Sequence, residues 1–314
     1  MLNAEFTAWL QHRFAGRVKL DEPLARLTSF GVGGPADALI SVKNTDQLKE
    51  LVLACEGAGV PYTALAGGTN LLVQDGGVRG VVINMNKGLK EISVDTEDGD
   101  RVMILAQAGV NLPTLCRYAV DNGLAGMNFA LGIPGTVGGA VVMNAGTARG
   151  VMADILEAAI LLLPEGQLVE RRRDELTFSY RHLDLKSVAP SAADRVLVTG
   201  ARLALRRDDT RRLRDEAGEI LKERLRHHPV GVQSAGCFFK NPATGDPAGK
   251  LIDLAGLKGR RIGGAVVSDK HANYIINTGG ATAVDIMTLA TLIRETVADK
   301  FGVRLEPEVK IVGE

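Results

Sequence analysis

The chain has 314 residues, 46 % of them hydrophobic, and its 37 basic side chains balance 37 acidic ones. That length predicts two or three domains, and the balanced charge leaves no footprint for a nucleic acid or an anionic membrane. Cysteines at 55, 116 and 237 fit neither a zinc spacing nor a CxxC pair. No apolar run reaches the ~20 residues of a membrane helix, and the amino-terminal stretch lacks the layout of a signal peptide. A cytoplasmic protein without a metal is expected.

In chain order, residues 4–14 carry Phe6, Trp9, Leu10 and Phe14 on one helical face. A β/α pattern follows. Strands are expected at 36–42, 62–65 and 80–84, with a helix from Asn44 or Thr45 that buries Leu48, Leu51, Val52 and Cys55 and stops at Gly57 and Gly59. A second block holds strands at 91–94 and 102–106, a helix over 112–122 ended by Gly123, and strands at 158–163 and 196–205. Residues 206–226 are densely charged, yet Leu213, Ala217, Ile220, Leu221 and Leu225 mark an apolar helical face. A boundary is placed near Arg206. A long helix over 283–301 is capped by Thr282 and ended by Gly302, and the tail 303–312 reads as a strand.

Several segments carry candidate chemistry. Gly31-Val32-Gly33-Gly34-Pro35-Ala36 matches G-x-G-x-x-A, but a strand follows it instead of a helix, so a Rossmann site is rejected. The uncharged loop 66–74, AGGTNLLVQ, follows a strand. The loop 132–146, GIPGTVGGAVVMNAG, has five glycines and lies in a charge-free stretch from Gly126 to Ala148. Glycines let backbone approach a ligand closely, and consecutive N–H groups form an anion nest able to hold a pyrophosphate without lysine or arginine. The same two loops also fit tight turns between core strands, and the residues alone leave both readings open.

Further along, FSYRHL at 178–183 puts Arg181 after two aromatics, where a surface arginine is the plainer reading. SAGCFFKNP at 234–242 offers the weakly acidic thiol of Cys237 with donors at Lys240 and Asn241; an inert buried cysteine is the alternative. In LEPEVKIVGE, Glu306 and Glu308 share a strand face and also fit solvated carboxylates. None of the five histidines lies between residues 13 and 181, so none in the glycine loops can attach a flavin covalently. His227-His228 reads as a loop pair.

Taken in order, TSFGVGGPA, LAGGTNLLV, the 132–146 loop, FSYR, SAGCFFKNP and LEPEVKIVG span residues 28 to 313 and resemble the bacterial UDP-N-acetylenolpyruvoylglucosamine reductases. The resemblance implies an α+β protein: a two-part vanillyl-alcohol-oxidase-type FAD-binding fold at 1–88 and 89–205, and an α+β UDP-sugar domain at 206–303. A terminal strand within 304–314 would return to the first part. It also implies non-covalent FAD, NADPH as co-substrate, and hydride transfer to C3 of an enolpyruvyl group in peptidoglycan precursor synthesis.

By the same resemblance, Ala66, Gly67, Gly68, Thr69, Asn70 and Leu71 hold the cofactor from the first loop. Gly132, Ile133, Pro134, Gly135, Thr136, Gly138, Gly139, Ala140, Asn144 and Gly146 hold it from the second. Arg181 and Glu308 polarise the substrate carboxylate, and Tyr180, Lys240 and Asn241 bind substrate, with Arg224 or Arg226 a candidate for the UDP phosphates. Cys237 stands where the family usually has a proton-donating serine, and Leu183 stands where it often has a serine. Tyr274 is the one tyrosine of the third block, which resembles the shorter type lacking a tyrosine lid. A monomer is expected. The rival readings are another oxidoreductase of the same flavin fold, a catalytically dead binding module, and a nucleotide-binding protein without redox work.

Overall fold

A computed structural model describes residues 2–314. The chain divides into two compact units: Met1–Leu20, Asp37–Gly67 and Gly80–Glu223 form the first, and Asp21–Ala36, Gly68–Arg79 and Arg224–Glu314 the second.

The first unit has two cores. One lies under helices Ala4–Arg13 and Thr45–Ala58, where Leu10, Phe14, Ile40, Leu48, Leu51 and Ile83 are fully buried. Asn44 caps the second helix through its side chain, and the helix passes through Gly57 to end on Gly59 in the left-handed region. A four-stranded sheet runs in the order Val18–Pro23, Pro35–Ser41, Val78–Asn84, Tyr62–Leu65. Its last pair is parallel, the two strands joined by the non-helical stretch 66–77.

The second core is backed by an antiparallel sheet ordered Leu168–Arg172, Leu156–Leu162, Leu197–Arg207, Arg101–Gln107, Ile92–Asp98, with Leu124–Ala125 also pairing Leu197–Arg207. Arg101–Gln107 alternates exposed or half-buried with buried residues, and Val102, Ile104 and Ala106 point inward, as a sheet covered on one face demands. Helix Leu112–Asp121 covers it. Leu213, Ala217 and Ile220 of helix Thr210–His227 belong to this same core. The first unit's last stretch runs through most of this helix to Glu223, and the second unit resumes at Arg224.

The second unit is built from three separated stretches around Phe30, Phe238, Phe239, Ile252, Ile286 and Ile293. A small antiparallel sheet, Arg261–Ile262, Ala265–Val267 and Ile275–Asn277, carries helices Ala248–Leu254 and Ala283–Phe301. The long helix starts on a reciprocal Thr282/Asp285 capping box and ends on Gly302 in the left-handed region, as the sequence predicts. Both Asp75 carboxylate oxygens also accept from its first turn, from the N–H groups of Ala283 at 2.9 Å and Val284 at 3.1 Å.

The tail forms a strand only at Lys310–Val312, parallel to Leu71–Val73. Residues before it bond elsewhere: Lys240 N–H donates to the Glu306 carbonyl and Glu308 N–H to the Phe238 carbonyl, each at 2.8 Å, while Pro307 has no N–H to give. Among the described residues no helix is long and apolar enough to cross a membrane.

Candidate active site

The predicted site residues fall into two groups, one in each unit. In the first unit, Thr136 is 2 % exposed and its Oγ accepts from Gly139 N–H at 3.4 Å, starting a six-residue helix, Val137–Val142, inside the glycine loop. This helix is absent from the sequence reading. The N–H groups of Val137 and Gly138 donate to the carbonyls of Val110 and Ala108, at 2.9 and 3.0 Å. A Cβ on Gly138 would sit 2.8 Å from the Cβ of Ala108. The first turn of this helix therefore offers a ligand a close-packed surface, with those two donors already engaged.

The loop then reaches Asn144, a non-glycine residue at φ 40° and 6 % exposed. Its Nδ2 donates to the Ser179 carbonyl at 3.1 Å, and its Oδ1 accepts from Ala153 N–H at 3.1 Å. Two residues on, the Gly146 carbonyl accepts from Arg181 Nη2 at 2.8 Å.

Arg181 itself lies in a hairpin whose strands, Thr177–Ser179 and His182–Asp184, pair through Ser179 opposite His182. Only Tyr180 and Arg181 remain for the turn. Arg181 takes φ 57° there, a position that favours glycine or asparagine and costs an arginine on the order of 1–3 kcal/mol. Its guanidinium lies 5.0 Å from the half-exposed Tyr180 ring. The signal for this hairpin in the sequence was short and had no turn glycine.

In the second unit, residues 236–241 run between two segments. On one side Cys237 faces Tyr274 in an antiparallel bridge, and Phe238 N–H donates to the Asn273 carbonyl at 2.7 Å. The buried Asn273 side chain continues the ladder: Oδ1 accepts from Phe239 N–H at 2.9 Å, and Nδ2 donates to the Phe239 carbonyl at 2.8 Å. On the other side Phe239 bridges Pro307, next to Glu308. Asn70 Nδ2 donates to the Glu308 carbonyl at 3.1 Å, and the Asn70 carbonyl accepts from Lys310 N–H at 3.0 Å. Cys237, Lys240, Glu308 and Asn70 are thus brought together by backbone pairing, with Cys237 half-buried and outside any disulfide. Asn241 turns its Oδ1 to the Ala248 N–H, at 3.1 Å, before helix Ala248–Leu254.

Behind Tyr274 is a cluster that the sequence reading had as a loop pair. His228 Nδ1 is 3.0 Å from the Tyr274 hydroxyl, and the His228 and His271 rings stack at 5.1 Å. Burial, then the positive charge of Arg224, pushes the His228 imidazole down to about 4. Burial, reinforced by the nearby Cys237, raises the Tyr274 phenol, so it stays protonated at neutral pH.

Among the described residues, each unit also holds one buried side-chain oxygen that lacks a protein partner, Asn86 Oδ1 in the first and Ser29 Oγ in the second. Both residues are tied to the first loop within their own unit. Asn86 Nδ2 donates to the Ala66 carbonyl at 2.6 Å, and Ser29 N–H donates to the Gly68 carbonyl at 2.9 Å. Gly68 has φ +59°, and a Cβ there would meet the Leu27 carbonyl oxygen at 1.9 Å. Within each unit, an unmatched buried oxygen on a residue anchored to a loop carbonyl fits a polar, uncharged surface for FAD, and in the second unit Gly68 also excludes a Cβ. Neither Ser29 nor Asn86 was singled out from sequence, because burial without a partner is a tertiary property.

Comparison with known proteins agrees. Residues 36–171 match the family described as FAD binding domain, and residues 228–312 match that described as UDP-N-acetylenolpyruvoylglucosamine reductase, C-terminal domain. The chain is 49 % identical to UDP-N-acetylenolpyruvoylglucosamine reductase of Desulfosudis oleivorans, over 98 % of this chain and 99 % of the relative. It is 43 % identical to the protein of that name from Geobacter metallireducens, over 100 % of both chains. The crystal structure of UDP-N-acetylenolpyruvylglucosamine reductase from Thermus caldophilus superposes with a TM-score of 0.78 at 36 % identity, over 94 % of this chain and 98 % of that one. An FAD-binding domain, a matching C-terminal domain and near-identical length together place this chain in the UDP-N-acetylenolpyruvoylglucosamine reductase family.

Proposed function

We propose that this protein reduces the enolpyruvyl group of UDP-N-acetylglucosamine enolpyruvate to give UDP-N-acetylmuramate for peptidoglycan synthesis. The observation that carries this reading is the end-to-end likeness to reductases of that name, which extends through both the FAD-binding and the C-terminal domains. Bound FAD, once reduced by NADPH, would supply the hydride that adds to C3 of the double bond. The residues of loop 66–71, the segment 132–140 and Gly146 would hold the flavin, together with Ser29 and Asn86. Three cysteines outside any disulfide suit work in the reducing cytoplasm.

Arg181 pairs with the substrate carboxylate and stabilises the negative charge that spreads onto it as hydride arrives. A preorganised guanidinium suits this, and Arg181 is already held by Gly146 and Tyr180. Glu308 contacts the same carboxylate. Cys237 gives its Sγ proton to C2, so the double bond gains one hydride and one proton and the thiolate is reprotonated from solvent. A thiol, with an ordinary pKa of about 8.5, is a better acid than the serine hydroxyl usual in the family. Tyr180, Lys240 and Asn241 bind the sugar nucleotide.

The test is NADPH oxidation with and without the enolpyruvyl UDP-sugar, corrected for oxygen. Substrate must accelerate turnover; an unchanged rate sinks the reading. Cys237→Ala is expected to slow reoxidation of reduced flavin by substrate about 100-fold or more, with Cys237→Ser restoring most of it. An alanine variant at the wild-type rate removes Cys237 from the chemistry.

A further inference from the structure

Two non-glycine residues of the first unit adopt left-handed backbone within hydrogen-bonding reach of each other's segments: Asn144 at φ 40° and Arg181 at φ 57°. Residues held in such conformations persist only where their surroundings over-determine them, and they cluster at functional sites. Asparagine tolerates this region well, so the backbone at 144 is a modest demand. Its side chain has no freedom left by comparison. Buried at 6 % exposure, it donates to the carbonyl of Ser179, the residue just before the Tyr180-Arg181 turn, and accepts from Ala153 N–H. The Arg181 guanidinium meanwhile reaches back to Gly146, two residues beyond Asn144. Gly146 is itself fixed opposite Val151, with no space for a Cβ, which would lie 2.4 Å from the Gly150 carbonyl oxygen. The loop 144–146 and the turn 179–181 are thus pinned at both ends, by the amide of Asn144 at one and the guanidinium of Arg181 at the other.

We infer that Asn144 is a positioning residue for Arg181, setting the strained turn that aims the guanidinium at the substrate carboxylate. This assigns the Asn144 side chain to the arginine hairpin and not to the cofactor, and it rests on the role of Arg181 given above. The glycine-rich loop then has a second duty: it orients the group that polarises the substrate.

Two variants separate the bonds. Asn144→Asp keeps an acceptor for Ala153 and loses the donor to Ser179. Asn144→Gly removes both bonds and eases the backbone, so that folding is preserved. The flavin of each purified holoenzyme is reduced anaerobically with dithionite, and its reoxidation by the enolpyruvyl UDP-sugar is followed by stopped flow. Both variants are expected to retain FAD and to lower the limiting rate about tenfold, the effect of one buried hydrogen bond left unmade. Reduction of the flavin by NADPH, which does not involve the substrate carboxylate, stays at the wild-type rate. Because Asn144 acts through Arg181, Asn144→Gly in an Arg181→Ala background adds less than about a twofold further loss, where independent sites would add in full.

Wild-type reoxidation in both single variants overturns the inference, as does an undiminished effect of Asn144→Gly in the Arg181→Ala background. Loss of FAD from both variants returns Asn144 to the cofactor and also overturns it. If Arg181→Ala reoxidises at the wild-type rate, the role of Arg181 falls and this inference with it. A large loss in Arg181→Ala alone refutes only the inference.

Discussion

Replacing Asn273 with alanine isolates the contribution of one side chain to the segment carrying Cys237. Asn273 is 3 % exposed, and its amide meets both backbone groups of Phe239, which is 2 % exposed, at 2.9 and 2.8 Å. Alanine leaves a buried N–H and a buried carbonyl with nothing to bond. Each unmatched group costs about 1–3 kcal/mol, so the substitution is expected to cost roughly 2–6 kcal/mol. The loss should be local first, since Phe238 keeps its own bond to the Asn273 backbone. Hydrogen exchange on the peptide 234–242 is the assay, because a chain of two units need not unfold in one step. The Phe239 amide is expected to lose that protection, and flavin reoxidation by substrate should fall with it as Cys237 loosens. The exposed pair Lys222–Glu219 serves as a control, expected to change stability by less than about 1 kcal/mol when broken. A loss of protection below about 1 kcal/mol at Phe239 in Asn273→Ala would show that the ladder holds without the amide.

Gly68→Ala places a Cβ against the Leu27 carbonyl at a backbone conformation that L-residues rarely adopt, and is expected to release FAD; flavin retained at wild-type stoichiometry after gel filtration contradicts this. Burial pushes the thiols of Cys55 and Cys116 up to about 12, so a disulfide reagent at mildly alkaline pH should titrate Cys237 alone in the native protein. All three should react after denaturation, and native Cys237→Ser should release no thiolate chromophore. His228 is held neutral down to about 4 in the fold but takes a proton near pH 6.5 when unfolded. The unfolded chain therefore binds more protons between those values, and stability falls as pH drops from about 6.5 towards 4. His228→Gln should flatten that fall, with His271, also pushed down by burial, leaving a remainder; an unchanged slope refutes the assignment.

The long helices were legible because their ends are written locally. Asn44 and Thr282 cap as their residue types suggest, and Gly59 and Gly302 take the left-handed conformation that stops a helix. The arginine hairpin was not legible as such: TFSYRHLD has too few alternations to count, and its turn holds an arginine where a glycine or asparagine would announce it. The short helix Val137–Val142 was hidden by Gly138 and Gly139, which disfavour helix; packing of Gly138 onto Ala108 overrides that preference. Dense charge at 206–226 suggested a boundary, whereas three buried residues on one face, Leu213, Ala217 and Ile220, decide where the helix packs. At the site, Arg181, Cys237, Lys240 and Glu308 sit in motifs that could be recognised by order. Asn273, His228, Ser29 and Asn86 act through partners distant in sequence, and no local pattern marks them.

The scattered origin of the second unit has a consequence for how the protein is made. Gln74 Nε2 bonds the Gly313 carbonyl at 2.7 Å across 239 residues, and Asp75 caps a helix whose first turn lies 208 residues later. A nascent chain must therefore expose Leu71–Val73, a short apolar edge, until Lys310–Val312 is synthesised. At ordinary translation rates that interval is roughly 10–50 s. During it the first unit can complete its own antiparallel sheet, whose last strand is Leu197–Arg207, while residues 24–34 and 68–77 wait without their core. Ribosome-bound intermediates of this reductase should accordingly carry a folded amino-terminal body and two sticky, unfinished loops, which makes late synthesis the stage most dependent on chaperones.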